Sequence, residues 1–349
     1  MTDNKLNVGV IGIGAISNSH LEAYKSYSRT NLYAICDNDA DWLPDAAKLH
    51  NVEKAYIDYK EMLADPMLDA VSICLPTKLH AQATIDALKA GKHVLCEKPM
   101  ATTAADALEM KKAAEASGKK LMISHNQRFE DNVQTIKKHA DEGLFGDIYL
   151  MRIGWRRPMG CMPPYTAERP NGKLYNRNFF NDKDNGGGVL RDLGSHLLDL
   201  SLYIAGFPKP TNVVSSLYRK FYPEGYEPGK YKCDSEDMAV AQITFDSGLA
   251  MQLEVSFGSY VMDDIVYTEV YGTKGGASRR GGKLNFIGFD EGHMVETRIS
   301  SYYSTSKCVQ NRFVDAVLDN TDVPVPADQG VKVIEVLDAI YNAAGEIKK

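Results

Sequence analysis

Along the first 125 positions, apolar residues come in short blocks rather than singly. Near-continuous apolar runs recur at residues 8–11, 32–36, 69–75, 93–96 and 120–124. Runs of that length read as strands buried on both faces. Between them, apolar residues repeat at three- and four-residue steps, predicting helices over 17–27, 59–64, 81–90 and 102–116, with a short extra strand over 54–58. Strand and helix alternating in this way predict a doubly wound parallel sheet. After residue 125 the rhythm changes. A helix over 131–144 and a strand over 148–153 are followed by runs at 213–218, 238–245, 250–257, 265–271, 284–289 and 295–299. Turn residues such as Asp246-Ser247-Gly248 separate them, which suits antiparallel hairpins. Met251, Leu253, Val255 and Phe257 alternate with other residues, so one face of that second sheet is apolar. Helices over 306–318 and 329–347 end the pattern. The predicted fold is α/β: a doubly wound N-terminal domain and a C-terminal α+β domain with a large, mostly antiparallel, open-faced sheet.

The first strand meets its helix through Gly12-Ile13-Gly14-Ala15-Ile16-Ser17, a Gly-x-Gly-x-x-Gly spacing with Ser in the third place. In a strand–turn–helix of this kind the first glycine makes the turn. The second lets the backbone approach a pyrophosphate at the helix N-terminus, and the third need only be small. The second strand ends in Asp37, placed to accept hydrogen bonds from ribose hydroxyls. Asp39 and Asp41 follow with no Arg or Lys to neutralise a 2′-phosphate, which favours NAD over NADP. Gly12, Gly14, Ala15, Ile16 and Asp37 are therefore the expected contacts of a Rossmann dinucleotide site. Ligands of such sheets lie beyond the strands' carboxyl ends, where Pro76, Thr77, His80, Glu97, Lys98 and Asn126 fall. Lys98 precedes Pro99, which constrains its backbone and suits its ammonium to hold a substrate oxygen. A surface pair with Glu97 fits the tripeptide equally well. His80 either satisfies its own loop or lines the nicotinamide end.

The second glycine run, Gly186-Gly187-Gly188, opens onto Leu190, Leu193, Leu197 and Leu200, the buried stripe of a predicted helix. Asp192 and His196 are four apart, one turn from each other. A carboxylate so placed fixes the tautomer of an imidazole and raises its basicity. It also serves as an ordinary satisfied polar face, and the motif alone does not choose. Residues 158–185 show no period and carry Tyr165, Arg169, Tyr175, Arg177, Phe179 and Phe180. They read as a structureless segment that covers a substrate, or packs on its own domain or a neighbouring subunit. The strand over 148–153 delivers Trp155, Arg156 and Arg157 at its end as candidate substrate contacts, although either arginine can equally pair with one of the many acids.

At 349 residues the chain is long enough for two domains, expected at 1–125 and 126–349 with the last helix packing back near the first. An apolar fraction of 44% and a charged fraction of 25% are those of an ordinary globular protein. A net charge of −6 without a basic run argues against nucleic acid and anionic membranes as partners. No apolar run is long enough to span a bilayer, and the first residues lack a signal-peptide pattern, so the expected location is the cytoplasm. Six scattered cysteines form no Cys-x-x-Cys pair and suggest no metal site, and Cys36, Cys74 and Cys96, in apolar strand-like runs, are expected to be reduced core residues.

Four motifs in this order, Gly12 to Ser17, Pro76-Thr77-Lys78-Leu79-His80, Glu97-Lys98-Pro99 and Gly186 to His196 with Asp199, resemble the glucose-fructose oxidoreductase / inositol dehydrogenase / rhizopine catabolism family, Gfo/Idh/MocA. The resemblance covers nearly the whole chain. It implies hydride transfer between NAD(P) and a ring hydroxyl of a sugar or cyclitol, with Lys98, Asp192 and His196 as the catalytic set. It also implies a homodimer or homotetramer through the C-terminal sheet. The chemistry is coherent: His196 as base, Asp192 orienting it, Lys98 holding the reacting oxygen. Two other functions share the fold: a glycoside hydrolase that retains its NAD, and a non-catalytic dinucleotide-binding regulator.

Overall fold

The computed structural model describes residues 5–164, 166–222, 226–227, 229–299 and 308–349. Tyr165 and the first two residues of the helix expected over 306–318 lie outside them. The described residues form two compact units: those up to 126 with 308–334, and those from 127 to 299 with 335–349.

The first unit is built on six parallel strands, β1 Leu6–Ile11, β2 Thr30–Cys36, β3 Lys54–Tyr56, β4 Ala70–Ile73, β5 His93–Cys96 and β6 Leu121–Ile123. Their order is β3-β2-β1-β4-β5-β6. Val8, Val10, Val71, Ile73, Val94 and Leu95 are fully or almost fully buried in it. Each such side chain stabilises the fold by about 1.5–3 kcal/mol relative to exposure. The helices are α1 Ser17–Ser26, α2 Leu43–His50, α3 Tyr59–Leu63, α4 His80–Lys89 and α5 Ala104–Ser117. Helix α2 has no counterpart in the sequence pattern. It is short, carries Pro44 in its first turn, and buries only Leu43, Ala46 and His50. The helix Val309–Leu318 also belongs to this unit.

The second unit has α6 Asp131–Asp141 and an eight-stranded sheet. Its strands are β7 Ile148–Pro158, β10 Pro210–Tyr218, β11 Met238–Phe245, β12 Ala250–Ser259, β13 Ile265–Gly272, β14 Gly275–Arg280, β15 Lys283–Asp290 and β16 His293–Ile299. The order is β10-β11-β12-β7-β13-β14-β15-β16, and only β12 and β7 run parallel. In register across it, Ile243, Met251, Met151, Val270 and Ala277 make one almost fully buried row. The neighbouring row is Gln242, Gln252, Arg152 and Glu269, and its first three members are exposed. A period of two therefore gives this sheet one apolar and one polar face.

Three expectations are corrected here. Strand β14 was not visible in the sequence because Gly275, Gly276, Arg279 and Arg280 break the apolar alternation. Residues 158–185 are not structureless: β8 Thr166–Glu168 pairs with β9 Leu174–Asn176, and tight turns follow at Asn178–Phe180 and Lys183–Asn185. Finally, β7 runs on to Pro158, so Trp155, Arg156 and Arg157 lie within the strand and not beyond its end. Among the described residues no helix is long and apolar enough to cross a membrane.

Candidate active site

In the first unit the glycine turn is fixed from three sides. Gly12 has φ +89°, and a Cβ there would lie 2.7 Å from the Cys74 carbonyl oxygen, so only glycine fits. The Ile13 amide donates to Asp37 Oδ2 at 2.7 Å and the Asp39 amide to Asp37 Oδ1 at 2.9 Å. Asp37 thus ties the turn to the end of β2 while staying half-exposed. Ser17, fully buried, donates to the Gly14 carbonyl at 2.7 Å, which is how serine serves in the third position. Ala15 and Ile16 are exposed, and no side chain caps the first turn of α1.

The segment Glu97-Lys98-Pro99 leaves β5 braced by two buried histidines. His20, on the inner face of α1, meets Glu97 Oε1 through Nε2 at 2.8 Å, and the Lys98 amide donates to Glu97 Oε2 at 3.2 Å. Burial pushes the Glu97 carboxyl up, but hydrogen bonds from His20 and Ser124 and the Lys98 charge outweigh it, and the net shift is below the ordinary carboxylate range. Lys98 itself is half-buried. His80 is 1% exposed and places Nδ1 at 2.8 Å from the Pro99 carbonyl and Nε2 at 2.8 Å from the Leu75 carbonyl. Both ring nitrogens face backbone carbonyls, and a neutral ring donates to one of the two. His80 is placed as a brace between two loops, the first of the two readings its sequence position left open. Burial lowers its pKa, against the pull of the two carbonyls. Pro76 and Thr77 are half-buried in the turn before α4, and Asn126 is exposed after β6.

In the second unit the predicted helix over the leucine stripe begins as a π-helical turn, Leu190–Gly194, which continues into α7 Ser195–Ala205. Widened turns of this kind are frequent at functional sites. Leu190, Leu193, Leu197 and Leu200 are buried as expected, while Asp192 and His196 are half-buried on the same turn and its successor. The His196 ring lies 6.2 Å from Trp155 on β7, tilted by 48°. Trp155 Nε1 donates to Asp264 Oδ1 at 2.9 Å, and Arg157 lies 3.5 Å from the same carboxylate. Trp155, Arg157 and His196 are thus gathered together. Arg156, pointing the other way on the strand, pairs with Glu254 at 3.3 Å on the polar face, beside Tyr267. It is not brought to the His196 group.

A further residue, absent from the sequence reading, starts this turn. Glu236 is 2% exposed, and its Oε1 accepts from the Leu190 amide at 3.0 Å and the Tyr341 hydroxyl at 2.8 Å. Gly188, at φ +115°, lies so close that a Cβ would sit 2.2 Å from that oxygen. The third glycine of the run is the signal that something packs there; its partner 48 positions on carries none. Asp199 is an anchor too, buried against Arg128, whose Nε donates to it at 3.1 Å.

With this geometry in hand, two family models match the chain: an oxidoreductase family with an NAD-binding Rossmann fold over residues 6–125, and the Gfo/Idh/MocA C-terminal domain over residues 133–278. The chain belongs to the Gfo/Idh/MocA family. It is 30% identical over 287 residues to the D-glucoside 3-dehydrogenase of Escherichia coli K12, covering 80% of this chain and 78% of that one. It is 31% identical over 278 residues to the myo-inositol 2-dehydrogenase of Thermotoga maritima, covering 77% and 74%. A levoglucosan dehydrogenase solved with NADH and levoglucosan shares the fold with a TM-score of 0.84 over 97% of each chain at 22% identity. As a Gfo/Idh/MocA protein the chain is an NAD-binding oxidoreductase, and its glycine turn fits that group. A Cβ on Gly14 would meet no atom within 4 Å. The protein itself does not need glycine there, and the space beside the uncapped start of α1 is what an approaching pyrophosphate requires.

Proposed function

We propose that the chain is an NAD-dependent dehydrogenase acting on a ring hydroxyl of a sugar, glycoside or cyclitol, with Lys98, Asp192 and His196 as its reacting groups. The observation that carries this reading is the identity of 30 and 31% to enzymes named for a glucoside and for an inositol, over more than three quarters of this chain. Bound NAD supplies the hydride acceptor. Gly12, Gly14, Ala15, Ile16 and Asp37 hold its adenosine and pyrophosphate, and Pro76, Thr77, Glu97, Lys98 and Asn126 its nicotinamide side. The rest of the work falls on the alcohol oxygen and its proton. His196 takes the hydroxyl proton, since an imidazole titrates near neutrality. Asp192 orients the ring and stabilises it when charged. Lys98 donates to the reacting oxygen and stabilises the negative charge that develops there. Trp155 offers an apolar ring face to the substrate, with Arg157 beside it. The first unit holds the cofactor and carries Lys98, and residues 127–299 with 335–349 serve the substrate and assembly, a homodimer or homotetramer through the eight-stranded sheet.

The test is nicotinamide absorbance with purified protein and NAD against inositols, hexoses, glycosides and sugar acids, with His196→Ala run alongside. NADH formed with one class of substrate and reduced about a hundredfold or more in the variant supports the reading, since a positioned general base contributes on that order. Cofactor carried tightly through purification without any net NADH moves the assignment to an NAD-retaining hydrolase. Unchanged rates in His196→Ala remove His196 from the mechanism.

A further inference from the structure

The motif that carries Lys98 sits on a buried polar chain that begins in the cofactor helix. His20 is fully buried on the inner face of α1, together with Ser17, Leu21 and Tyr24. Its Nε2 faces Glu97 Oε1 at 2.8 Å and its Nδ1 faces Ser72 Oγ at 3.0 Å, and Ser72 Oγ lies 2.6 Å from the Tyr24 hydroxyl. An ionised carboxylate only accepts, so Nε2 carries a proton and donates it to Glu97. Nδ1 meets a hydroxyl, which donates or accepts as required, so the chain is satisfied whether or not the ring is charged. At its other end Glu97 Oε2 receives the Lys98 amide at 3.2 Å.

We propose that His20 is a positioning residue for Lys98: through Glu97 it ties the helix that seats the cofactor's pyrophosphate to the segment that carries the reacting ammonium. The inference rests on the role of Lys98 proposed above. A carboxylate 6% exposed at the end of β5 is costly to bury, and an apolar side chain at that position would fill the same space without the cost. What the carboxylate adds is a fixed acceptor for the Lys98 backbone and a negative neighbour for its ammonium. The groups acting on Glu97 include His20 and Tyr24 from α1, His80 at the start of α4, Ser124 after β6, Lys98 beside it, and the Cys74 and Cys96 thiols. Both thiols are pushed up by burial and by the Glu97 charge, so they are neutral. His20 meets Glu97 at 2.8 Å, closer than the Lys98 amide at 3.2 Å, and it lies on the helix that follows directly from the glycine turn.

Two variants separate positioning from packing. His20→Leu fills similar space and removes the donor; His20→Gln keeps an amide donor within reach of Glu97. The first readout needs no turnover: infrared spectra of the cofactor-free protein, with Glu97→Gln to assign the band of a protonated Glu97. His20→Leu is expected to show that band at neutral pH, and His20→Gln is not. The second readout is steady-state kinetics. His20→Leu is expected to lower kcat about tenfold or more with a much smaller change in substrate KM, and His20→Gln to recover most of the loss, since small displacements of a reacting group carry costs of that order. If His20→Leu does not fold, His20→Asn, whose amide reaches Ser72 but not Glu97, replaces it. A protonated band absent from the donor-less variant, or equal losses of kcat with Leu and Gln, overturns the proposal. A parent protein that oxidises no polyol overturns the dehydrogenase reading instead, and the band alone then decides the link between His20 and Glu97.

Discussion

Glu97 and Glu236 stand one in each unit, each beside a segment that carries a candidate reacting group, and each is almost completely buried. Burial pushes both carboxyls up, yet they end on opposite sides of the ordinary range. Glu97 has an imidazole, a hydroxyl and a neighbouring ammonium, and it falls below. Glu236 receives the Tyr341 hydroxyl and backbone amides, all neutral donors, and it rises. Arg191, whose charge acts on it, lies over the Tyr341 ring at 4.4 Å. The number of hydrogen bonds is similar, so the difference lies in the imidazole partner and the adjacent Lys98 charge at Glu97, against hydroxyl and amide donors at Glu236. In the first unit a charged carboxylate is kept next to Lys98. In the second a carboxyl whose pKa is raised by burial acts as a peg at the start of the π-helical turn that bears Asp192.

The largest effect is expected from driving an atom into that peg. Gly188→Ala must hold φ +115° and place a methyl group 2.2 Å from Glu236 Oε1. Left-handed strain costs of order 1–3 kcal/mol and the displaced carboxyl a comparable amount, so a loss of about 3–5 kcal/mol in urea unfolding is expected. Adding Glu236→Ala should return part of it by removing the clash. A loss under about 1 kcal/mol would mean the turn relaxes freely and that Gly188 is not held by Glu236.

Glu97→Gln comes next. His20 still finds an oxygen, but the Lys98 amide then faces an NH2 group, two donors against each other, where it had a carboxylate oxygen. A loss of about 2 kcal/mol near neutral pH is expected, the usual scale for charge-assisted bonds to a buried group. The sign with pH follows from the direction of the shift. A depressed folded pKa contributes stability above the unfolded value, about 4.3, and loses it as pH falls through the lower folded value. The gap between parent and variant should therefore be full near neutrality and close in acid. A gap that stays constant into acid would mean that Glu97 is not ionised in the fold.

How much of this was legible depends on whether the signal was local. Gly12, Gly14, Ser17 and Asp37 lie within 26 residues and form one strand–turn–helix–strand unit, so their pattern was readable, and so were all six parallel strands. The leucine stripe was readable as a helix, but a three- and four-residue repeat does not distinguish an α from a π turn, and the widened start at Leu190 was missed. Trp155 and Arg156 were read together at a strand's end. Continuing β7 through them sends one toward His196 and the other to Glu254 on the opposite face. The braces were illegible for a different reason. His20 meets Glu97 across 77 positions and Leu190 meets Glu236 across 46. Each side chain is unremarkable in its own window, and only the fold brings the partners together.

The smallest effect, with the sign reversed, is expected at Glu236. A carboxyl whose folded pKa is raised contributes stability that is fully present below the unfolded value, about 4.3, and is lost as pH rises through the raised value. Glutamine resembles the protonated form: its oxygen still accepts from the Leu190 amide and the Tyr341 hydroxyl, and no charge is buried. Glu236→Gln should therefore match the parent to within about 1 kcal/mol near pH 5 and gain on it by roughly 0.5–1 kcal/mol toward pH 8. Urea midpoints at the two pH values read this directly, with Glu97→Gln losing nearly the same amount at both, since its own change lies below about pH 4.3. A loss at pH 8 as large as that of Glu97→Gln would mean that Glu236 is ionised and paired with Arg191, and the contrast between the two carboxyls would then come from their partners' positions and not from their charge.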